Sequence, residues 1–234
     1  IDRDPFGAAG GLPASIDQRR HLTPEQVQAL ARLRGLLERR AFGVAVLHGV
    51  TGSGKTELYL SLAATTQASG LTVLVLVPEI ALTPAIAVRF RQAFGERVAI
   101  QHSGLSEGER HDEWQRIRRG AADVVIGTRS AVFAPLDRIG LVIVDEEHDA
   151  SYKQEESPRY NARDVAIVRA QRAGALVVLG SATPSMESYR HARSGRYERV
   201  VLERRVLDRP LAAVTIVDMR DEYAARGPDV VMSR

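Results

Sequence analysis

Residues 49–56 read GVTGSGKT, a stretch whose residue types and spacing are those of a phosphate-binding loop. Glycines let the backbone curl around an anion, and the N–H groups of residues 51–55 would point at a β-phosphate from the start of a helix. Lys55 would neutralise β- and γ-phosphate oxygens, and Thr56 would hold Mg²⁺. The sequence therefore predicts a nucleotide site formed by Gly49, Thr51, Gly52, Ser53, Gly54, Lys55 and Thr56.

A second motif, LVIVDEEH at 141–148, ends an apolar run with carboxylates and a histidine. Asp145 would lie at the carboxyl end of a strand, where open α/β sheets bind their ligands. We therefore expect Asp145 to reach the Mg²⁺ that Thr56 holds. The next carboxylate, Glu146, is then positioned to orient or deprotonate an attacking water, because phosphoryl transfer requires positioning more than covalent help. The alternative is a solvated acidic loop after a strand.

A third motif, LVVLGSATPS at 176–185, ends another apolar run with Ser181 and Thr183. Small hydroxyl residues at a strand end are also typical of an ordinary turn or helix cap. From its residues alone, this stretch is either part of a functional site or an ordinary turn or cap.

Short β-branched runs alternate with segments of helical period, which predicts an α/β fold with a parallel sheet flanked by helices. The TPEQ stretch marks the first helix start, with Thr23 as N-cap and Pro24 at the first helical position. Strands are predicted at 44–48, 72–77, 98–101, 123–127, 141–145 and 176–180, and helices at about 24–41, 55–69, 84–95, 106–119 and 161–173.

The composition is that of one large globular domain, with 234 residues of which 44% are hydrophobic and 26% charged. A net charge of +3 is only a weak indication of a nucleic-acid partner. The chain has no cysteine, which excludes disulfides and thiolate metal sites, and its apolar runs are too short to span a bilayer. A metal site at His102, His111, His148 or His191 is disfavoured, because none has a second ligand at helical spacing.

The order of the three motifs resembles the first motor lobe of superfamily 2 helicases. Six longer stretches resemble the PriA family of primosomal replication-restart helicases across about residues 22–218: GVTGSGKTE, LVPEIALTP, HSGLSEGER, GTRSAVFAP, DEEHDASYKQEESPRYNARD and LGSATPSMES. The resemblance implies a RecA-like P-loop lobe that uses ATP and Mg²⁺. It also implies a 3′ to 5′ DNA motor that recognises abandoned replication forks and helps to reload the replicative helicase.

The same resemblance assigns roles outside the phosphate loop. Gln26 is similar to a glutamine that reads the adenine edge, although a polar helix face would also explain it. Thr83, Thr128 and Arg129 fall where the family holds single-stranded DNA, with capping and surface solvation as alternatives. His148 is expected to couple the nucleotide state to the DNA side through Ser181 and Thr183.

The stretch SYKQEESPRY at 151–160 departs from helix and strand periodicity and follows the acidic motif directly. We expect the aromatic faces of Tyr152 and Tyr160 to stack on bases, while Lys153 and Arg159 meet phosphates. The alternative is a solvated surface loop.

The resemblance further implies single-stranded and forked DNA, single-stranded DNA-binding protein and other primosome proteins as partners. We expect a monomer in the cytoplasm at the nucleoid, with no membrane contact. Family members also carry a fork-binding region, a second motor lobe with an arginine finger, and zinc-binding cysteine clusters. We therefore expect an excised lobe without zinc that turns over ATP weakly alone: residues 1–20 a linker or frayed terminus, 21–219 the lobe, and 220–234 the start of a connection.

Two other function classes remain open at this stage. A nucleotide kinase would need a phosphate-acceptor lid and has no use for the acidic motif followed by Ser-Ala-Thr. A non-catalytic DNA-binding or partner-docking platform would keep the fold without turnover. The intact set of Lys55, Thr56, Asp145 and Glu146 favours catalysis over the platform.

Overall fold

The computed structural model describes residues 22–78, 84–206 and 220 of the chain. Seven parallel strands form one sheet in the order β3-β4-β2-β5-β8-β1-β9, and β6 and β7 form a separate antiparallel pair. The strands are β1 (Gly43–Gly49), β2 (Thr72–Leu76), β3 (Val98–Gln101), β4 (Val124–Gly127), β5 (Ile139–Val144), β6 (Lys153–Gln154), β7 (Tyr160–Asn161), β8 (Leu176–Ser181) and β9 (Glu198–Leu202). The helices are α1 (Pro24–Glu38), α2 (Lys55–Ala68), α3 (Pro84–Phe94), α4 (Glu107–Arg118), α5 (Ala162–Ala173) and α6 (Met186–Arg193).

Helices cover both faces of the sheet, so its central strands are buried on both sides. Successive residues of β2 show this, because Val73 and Val75 belong to one apolar cluster while Leu74 and Leu76 belong to the other. The first cluster includes residues of α1, α2 and α3, and the second includes residues of α4, α5 and α6. Strands buried on both faces explain the uninterrupted apolar runs in the sequence. The predicted α/β fold class is confirmed.

The first helix begins where the sequence predicts, and its start is fixed by a reciprocal capping box. Thr23 Oγ1 accepts a hydrogen bond from the Gln26 backbone N–H at 3.2 Å, and Gln26 Oε1 accepts one from the Thr23 N–H at 2.9 Å. Pro24 occupies the first helical position, where a missing N–H costs nothing.

The three sequence motifs follow the carboxyl ends of β1, β5 and β8. These strands are parallel, and β8 lies between β5 and β1, so the motifs lie at the same edge of the sheet, where the strands end. His48 of β1 is in register with Ser181 of β8, and Val144 of β5 is in register with Leu179. The loop after β1, the acidic residues after β5 and the Ser-Ala-Thr turn after β8 are therefore neighbours.

All six predicted strands and all five predicted helices are present, with ends shifted by a few residues. The strands β6, β7 and β9 and the helix α6 were not predicted. α6 has only eight residues and is largely polar. β9 begins with two charged residues and, among the described residues, pairs with β1 alone. Short elements of this kind carry little periodicity.

Several predictions fall outside the described residues. They are the linker at residues 1–20, most of the connection at 220–234, and Thr83. The domain boundaries stay predictions.

No helix within the described ranges combines the length and the apolar character needed to cross a membrane.

Candidate active site

The phosphate loop lies between β1, which ends at Gly49, and α2, which begins at Lys55. Gly54 has a φ of +81°, and a Cβ there would lie 2.3 Å from Gln26 Nε2, so both the conformation and the space require glycine. Gln26 donates a hydrogen bond from Nε2 to the Ser53 carbonyl at 2.8 Å. Helix α1 thereby holds the outer side of the loop.

Two side chains of the loop are buried in positions that suit an anion. Ser53 Oγ is buried and has no hydrogen-bond partner in the described part of the chain. Lys55 Nζ donates to the Gly49 carbonyl at 3.0 Å and lies 3.5 Å from Glu146 Oε1. Because buried polar groups are normally paired, an acceptor in the loop would satisfy the Ser53 hydroxyl as well as the ammonium group. Thr56 follows at the start of α2 and is half-buried.

Asp145 is held by two tyrosine hydroxyls. Tyr59 OH donates to Asp145 Oδ1 at 2.8 Å, and Tyr152 OH donates to the Asp145 carbonyl at 2.6 Å. Burial raises the pKa of Asp145 above its ordinary value, while the Tyr59 hydrogen bond opposes that rise. Burial and the neighbouring Asp145 carboxylate also raise the pKa of Tyr59 well above its ordinary value, so its hydroxyl stays protonated and acts as a donor.

Glu146 joins the phosphate loop to His148. Its two carboxylate oxygens lie 3.5 Å from Lys55 Nζ and 3.8 Å from His148 Nδ1. Glu146 has a φ of +43°, in the left-handed region that non-glycine residues rarely adopt. Strained backbone of this kind costs of order 1–3 kcal/mol and occurs mainly where function requires it.

His148 contacts both hydroxyl residues of the Ser-Ala-Thr turn. Its Nδ1 lies 2.8 Å from Ser181 Oγ and its Nε2 lies 3.4 Å from Thr183 Oγ1. The Thr183 backbone N–H also donates to Ser181 Oγ at 2.9 Å. The structure thus brings together the residues for which coupling was predicted, and a continuous path of contacts runs from Lys55 to Thr183.

Glu147 is a further residue of the acidic motif, which sequence reasoning missed. Its side chain is fully buried, and its carboxylate accepts hydrogen bonds from the Ser185 N–H at 2.7 Å, Ser185 Oγ at 3.1 Å and Ser188 Oγ at 3.0 Å. Arg163 Nη1 donates the fourth at 3.0 Å. This network ties the acidic motif to the starts of α5 and α6.

Tyr152 is buried and presents no face on which a base could stack, so the prediction of stacking is wrong for this residue. Its ring is 1% exposed and belongs to the apolar core, with its hydroxyl on the Asp145 carbonyl. Tyr160 is half-buried and packs edge-on against Phe133 at 5.0 Å between ring centroids. Sequence reasoning mistook a core residue for a surface one, because polar neighbours surround it in the chain.

The cations predicted to meet DNA divide into two kinds. Arg129 donates to the carbonyls of Ser151 and Lys153 at 3.2 and 2.9 Å, so it supports the turn after the acidic motif. Lys153 and Arg159 are exposed and remain available to phosphates. Thr128 is 4% exposed, which leaves mainly its backbone for a DNA contact.

Gln26, predicted to read adenine, is 2% exposed. Both ends of its amide are engaged, by the Thr23 N–H and the Ser53 carbonyl. Reading a base would require Gln26 to exchange one of these hydrogen bonds, so the adenine role stays a prediction.

Comparison with known proteins identifies the family of the chain. A family model described as DEAD/DEAH box helicase matches residues 23–192. The chain belongs to this family. It is 52% identical to the replication restart protein PriA of Bacillus subtilis over 201 residues, which are 86% of this chain and 25% of that protein. It is 49% identical to PriA of Synechocystis over 213 residues, which are 89% of this chain and 25% of that protein.

These matches confirm the resemblance to PriA, and the chain spans about a quarter of the length of these relatives. Solved helicase structures share the fold. RecG bound to a three-way DNA junction superposes with a TM-score of 0.59 at 23% identity, covering 82% of this chain and 24% of RecG. The DEAD-box helicase Mss116 bound to single-stranded RNA superposes with a TM-score of 0.53 at 16% identity, covering 78% of this chain and 40% of Mss116.

Membership of the DEAD/DEAH box family implies the use of ATP with Mg²⁺, and the residues present fit both groups. The buried Ser53 hydroxyl and the Lys55 ammonium suit phosphate oxygens. The described residues contain no cluster of three or more histidine, cysteine or acidic side chains that could hold a metal. Mg²⁺ needs no such cluster, because it is usually bound by one or two side chains together with substrate phosphates.

Proposed function

We propose that the chain is the ATP-binding first motor lobe of a 3′ to 5′ DNA helicase that acts in replication restart at stalled forks. The observation that carries the proposal is the path of contacts from Lys55 through Glu146 and His148 to Ser181. It joins the phosphate loop after β1 to the Ser-Ala-Thr turn after β8, and a motor requires such a link between its nucleotide site and a second site. The similarity to PriA supports the restart role and the choice of DNA.

In this proposal the phosphate loop binds ATP through its backbone N–H groups. Lys55 exchanges its hydrogen bond to the Gly49 carbonyl for one to a phosphate oxygen, and the Ser53 hydroxyl donates to another. Thr56 and Asp145 would hold Mg²⁺, which would supply positive charge against the negative charge that develops on the phosphate oxygens. Lys55 lies 3.0 Å from the Gly49 carbonyl, so a small movement of its flexible side chain brings it to a phosphate.

Glu146 orients the attacking water and accepts its proton. Once Lys55 turns to the phosphates, the Glu146 carboxylate loses its cationic neighbour at 3.5 Å and becomes available to water. His148 Nδ1 lies 3.8 Å from Glu146 Oε2, so a movement of Glu146 would shift His148 and, through it, Ser181 and Thr183. A path with two discrete arrangements is the physical content of coupling between nucleotide and DNA.

The DNA side of the proposal rests on exposed cations in the segment that follows the acidic motif. Lys153 and Arg159 would contact phosphates, and Arg129 would keep their turn in place through the Ser151 and Lys153 carbonyls. Thr83 and the backbone at Thr128 are further proposed DNA contacts. Forked DNA, single-stranded DNA-binding protein and other primosome proteins are the partners that the similarity to PriA implies.

Isothermal titration calorimetry with Mg-ATP analogues tests the nucleotide site directly. Removing the charge and hydrogen bonds of Lys55 in Lys55→Ala should weaken binding by about 10-fold or more, since hydrogen bonds to charged groups contribute roughly 1.5–3 kcal/mol. Glu146→Gln should keep affinity and lose hydrolysis. Lys153→Ala, an exposed lysine outside the loop, is the matched control. Equal affinity of the wild type and Lys55→Ala would refute the assignment.

We further propose that efficient turnover needs the second motor lobe that the resemblance implies. Arginine fingers contribute about 10³ to 10⁵ in rate among NTPases, so this chain alone should hydrolyse ATP slowly and should not unwind a duplex. Extending the chain by the second lobe should restore both activities. Strand separation by the 234-residue chain alone would contradict this proposal.

A further inference from the structure

Tyr59 lies one turn into α2, directly after the phosphate loop, and its side chain is fully buried. Its hydroxyl donates to Asp145 Oδ1 at 2.8 Å, which joins the helix that follows the phosphate loop to the end of β5. The two residues are 86 positions apart, so only the fold creates this contact. No sequence motif singles out Tyr59.

The fold leaves a specific space for this hydroxyl. A Cβ on Gly180 of β8 would lie 1.7 Å from Tyr59 OH and 3.3 Å from Asp145 Oδ1. Any side chain at this position would therefore displace the hydroxyl from the carboxylate. The absence of a side chain at Gly180 is what allows Tyr59 and Asp145 to meet.

The backbone of Asp145 is fixed independently of Tyr59. The Asp145 N–H donates to the Leu76 carbonyl at 2.9 Å, and Tyr152 OH donates to the Asp145 carbonyl at 2.6 Å. What remains to be fixed is the rotation of the carboxylate itself. The hydrogen bond from Tyr59 to Oδ1 is the side-chain contact that restricts this rotation, alongside a hydrogen bond from the Glu146 backbone.

We infer that Tyr59 is a positioning residue that orients the Asp145 carboxylate to receive Mg²⁺. The inference rests on the proposed nucleotide site. Residues that hydrogen-bond to metal ligands fix the ligand's geometry, and losing one typically costs 10- to 100-fold in metal affinity or activity. In this inference Tyr59 acts through its hydrogen bond to Asp145 and not by contact with the nucleotide or Mg²⁺.

The test is the Mg²⁺ dependence of nucleotide binding to the chain, with a non-hydrolysable ATP analogue as the probe. Calorimetry at increasing Mg²⁺ gives the concentration needed for half-maximal enhancement, and a measurement in chelator gives the Mg²⁺-free affinity. Tyr59→Phe should raise the required Mg²⁺ concentration about 10-fold and leave the Mg²⁺-free affinity unchanged. Tyr189→Phe is the matched control, because the Tyr189 hydroxyl has no hydrogen-bond partner among the described residues.

Three outcomes contradict or separate the claims. An unchanged Mg²⁺ requirement in Tyr59→Phe would overturn the inference and reduce Tyr59 to a packing role. A lower requirement would also overturn it, because the hydroxyl would then compete with Mg²⁺ for Oδ1. If the wild type itself shows no Mg²⁺-dependent binding, the proposed nucleotide site fails, and the inference fails with it.

A second arm tests the geometry without any ligand. Gly180→Ala should lower the midpoint of thermal unfolding, because its Cβ would overlap the Tyr59 hydroxyl. The same substitution in the Tyr59→Phe background should cost less, because the nearest remaining ring atom, Cζ, lies 2.9 Å from that Cβ. Equal costs in both backgrounds would mean that Tyr59 and Gly180 do not meet as the structure has them.

Discussion

Glu147→Gln offers a sharp test of the network behind the acidic motif. The substitution keeps the shape of the side chain but replaces one carboxylate oxygen with an NH₂ group, which cannot accept a hydrogen bond. Four donors converge on the Glu147 carboxylate, at 2.7 to 3.1 Å. At least one of them, the Ser185 N–H or Arg163 Nη1, would then face another donor.

The magnitude follows from burial. The Glu147 side chain is 0% exposed and that of Arg163 is 14% exposed, so water can replace little of a hydrogen bond lost at Glu147. Removing one partner of a buried ion pair costs about 3–5 kcal/mol, because the remaining charge is left without compensation. Arg163 keeps a hydrogen bond to the exposed Asp164 at 3.0 Å. We therefore expect the lower end of that range, a loss of about 3 kcal/mol in the free energy of unfolding.

Urea unfolding followed by circular dichroism measures this loss. Glu187→Gln is the matched control, since Glu187 is an exposed glutamate on α6, the helix that carries Ser188, and surface changes usually stay within about 0.5 kcal/mol. If Glu147→Gln is as stable as the control, the carboxylate is not desolvated and the network does not hold the acidic motif. A Glu147 and Arg163 double-mutant cycle should then show no coupling.

Two further predictions concern backbone strain and pH. Glu146→Gly should be more stable than Glu146→Ala by about 1 kcal/mol in urea unfolding, because a φ of +43° strains alanine but not glycine. At most positions the glycine variant is the less stable of the two. A Glu146→Gly variant that is less stable than Glu146→Ala would contradict the strain at this position. Burial acts to raise the pKa of Asp123, but hydrogen bonds from Arg97 and Gln67 outweigh it, so its pKa lies below 3.8 in the folded protein. The Asp123–Arg97 pair contributes its full stability above the pKa that Asp123 has in the unfolded chain, and this stability is lost as pH falls through the lower pKa of the folded protein. Asp123→Asn should therefore cost up to about 1 kcal/mol at neutral pH and progressively less below pH 3.8. A cost that does not change with pH would refute the ion-pair account.

Much of the fold could be predicted because its signals are local. The phosphate loop, the strand ends and the capping box at Thr23 each lie within a few residues of sequence, where spacing alone carries the physics. The strand order could not be predicted in the same way. It brings β1, β8 and β5 side by side, and nothing in a single strand specifies its neighbours.

The candidate site was predictable in its reactive groups and not in its support. Lys55, Asp145, Glu146 and His148 stand in recognisable spacings, but the side chains that hold them come from distant segments. Tyr59 reaches Asp145 across 86 positions, and Ser188 reaches Glu147 across 41. Tyr152 was misread for the same reason: its burial depends on packing against the sheet, while its sequence neighbours are polar.

Steady-state ATP hydrolysis with and without single-stranded DNA tests the central claim most directly. In a chain extended by the proposed second motor lobe, DNA should increase turnover, because the path from Lys55 through His148 to Ser181 joins the phosphate loop to the Ser-Ala-Thr turn, through which we propose that DNA acts. His148→Ala should lose most of that stimulation and keep nucleotide affinity. Turnover that is the same with and without DNA, at DNA concentrations where binding is saturated, would contradict the account of this chain as a DNA motor lobe.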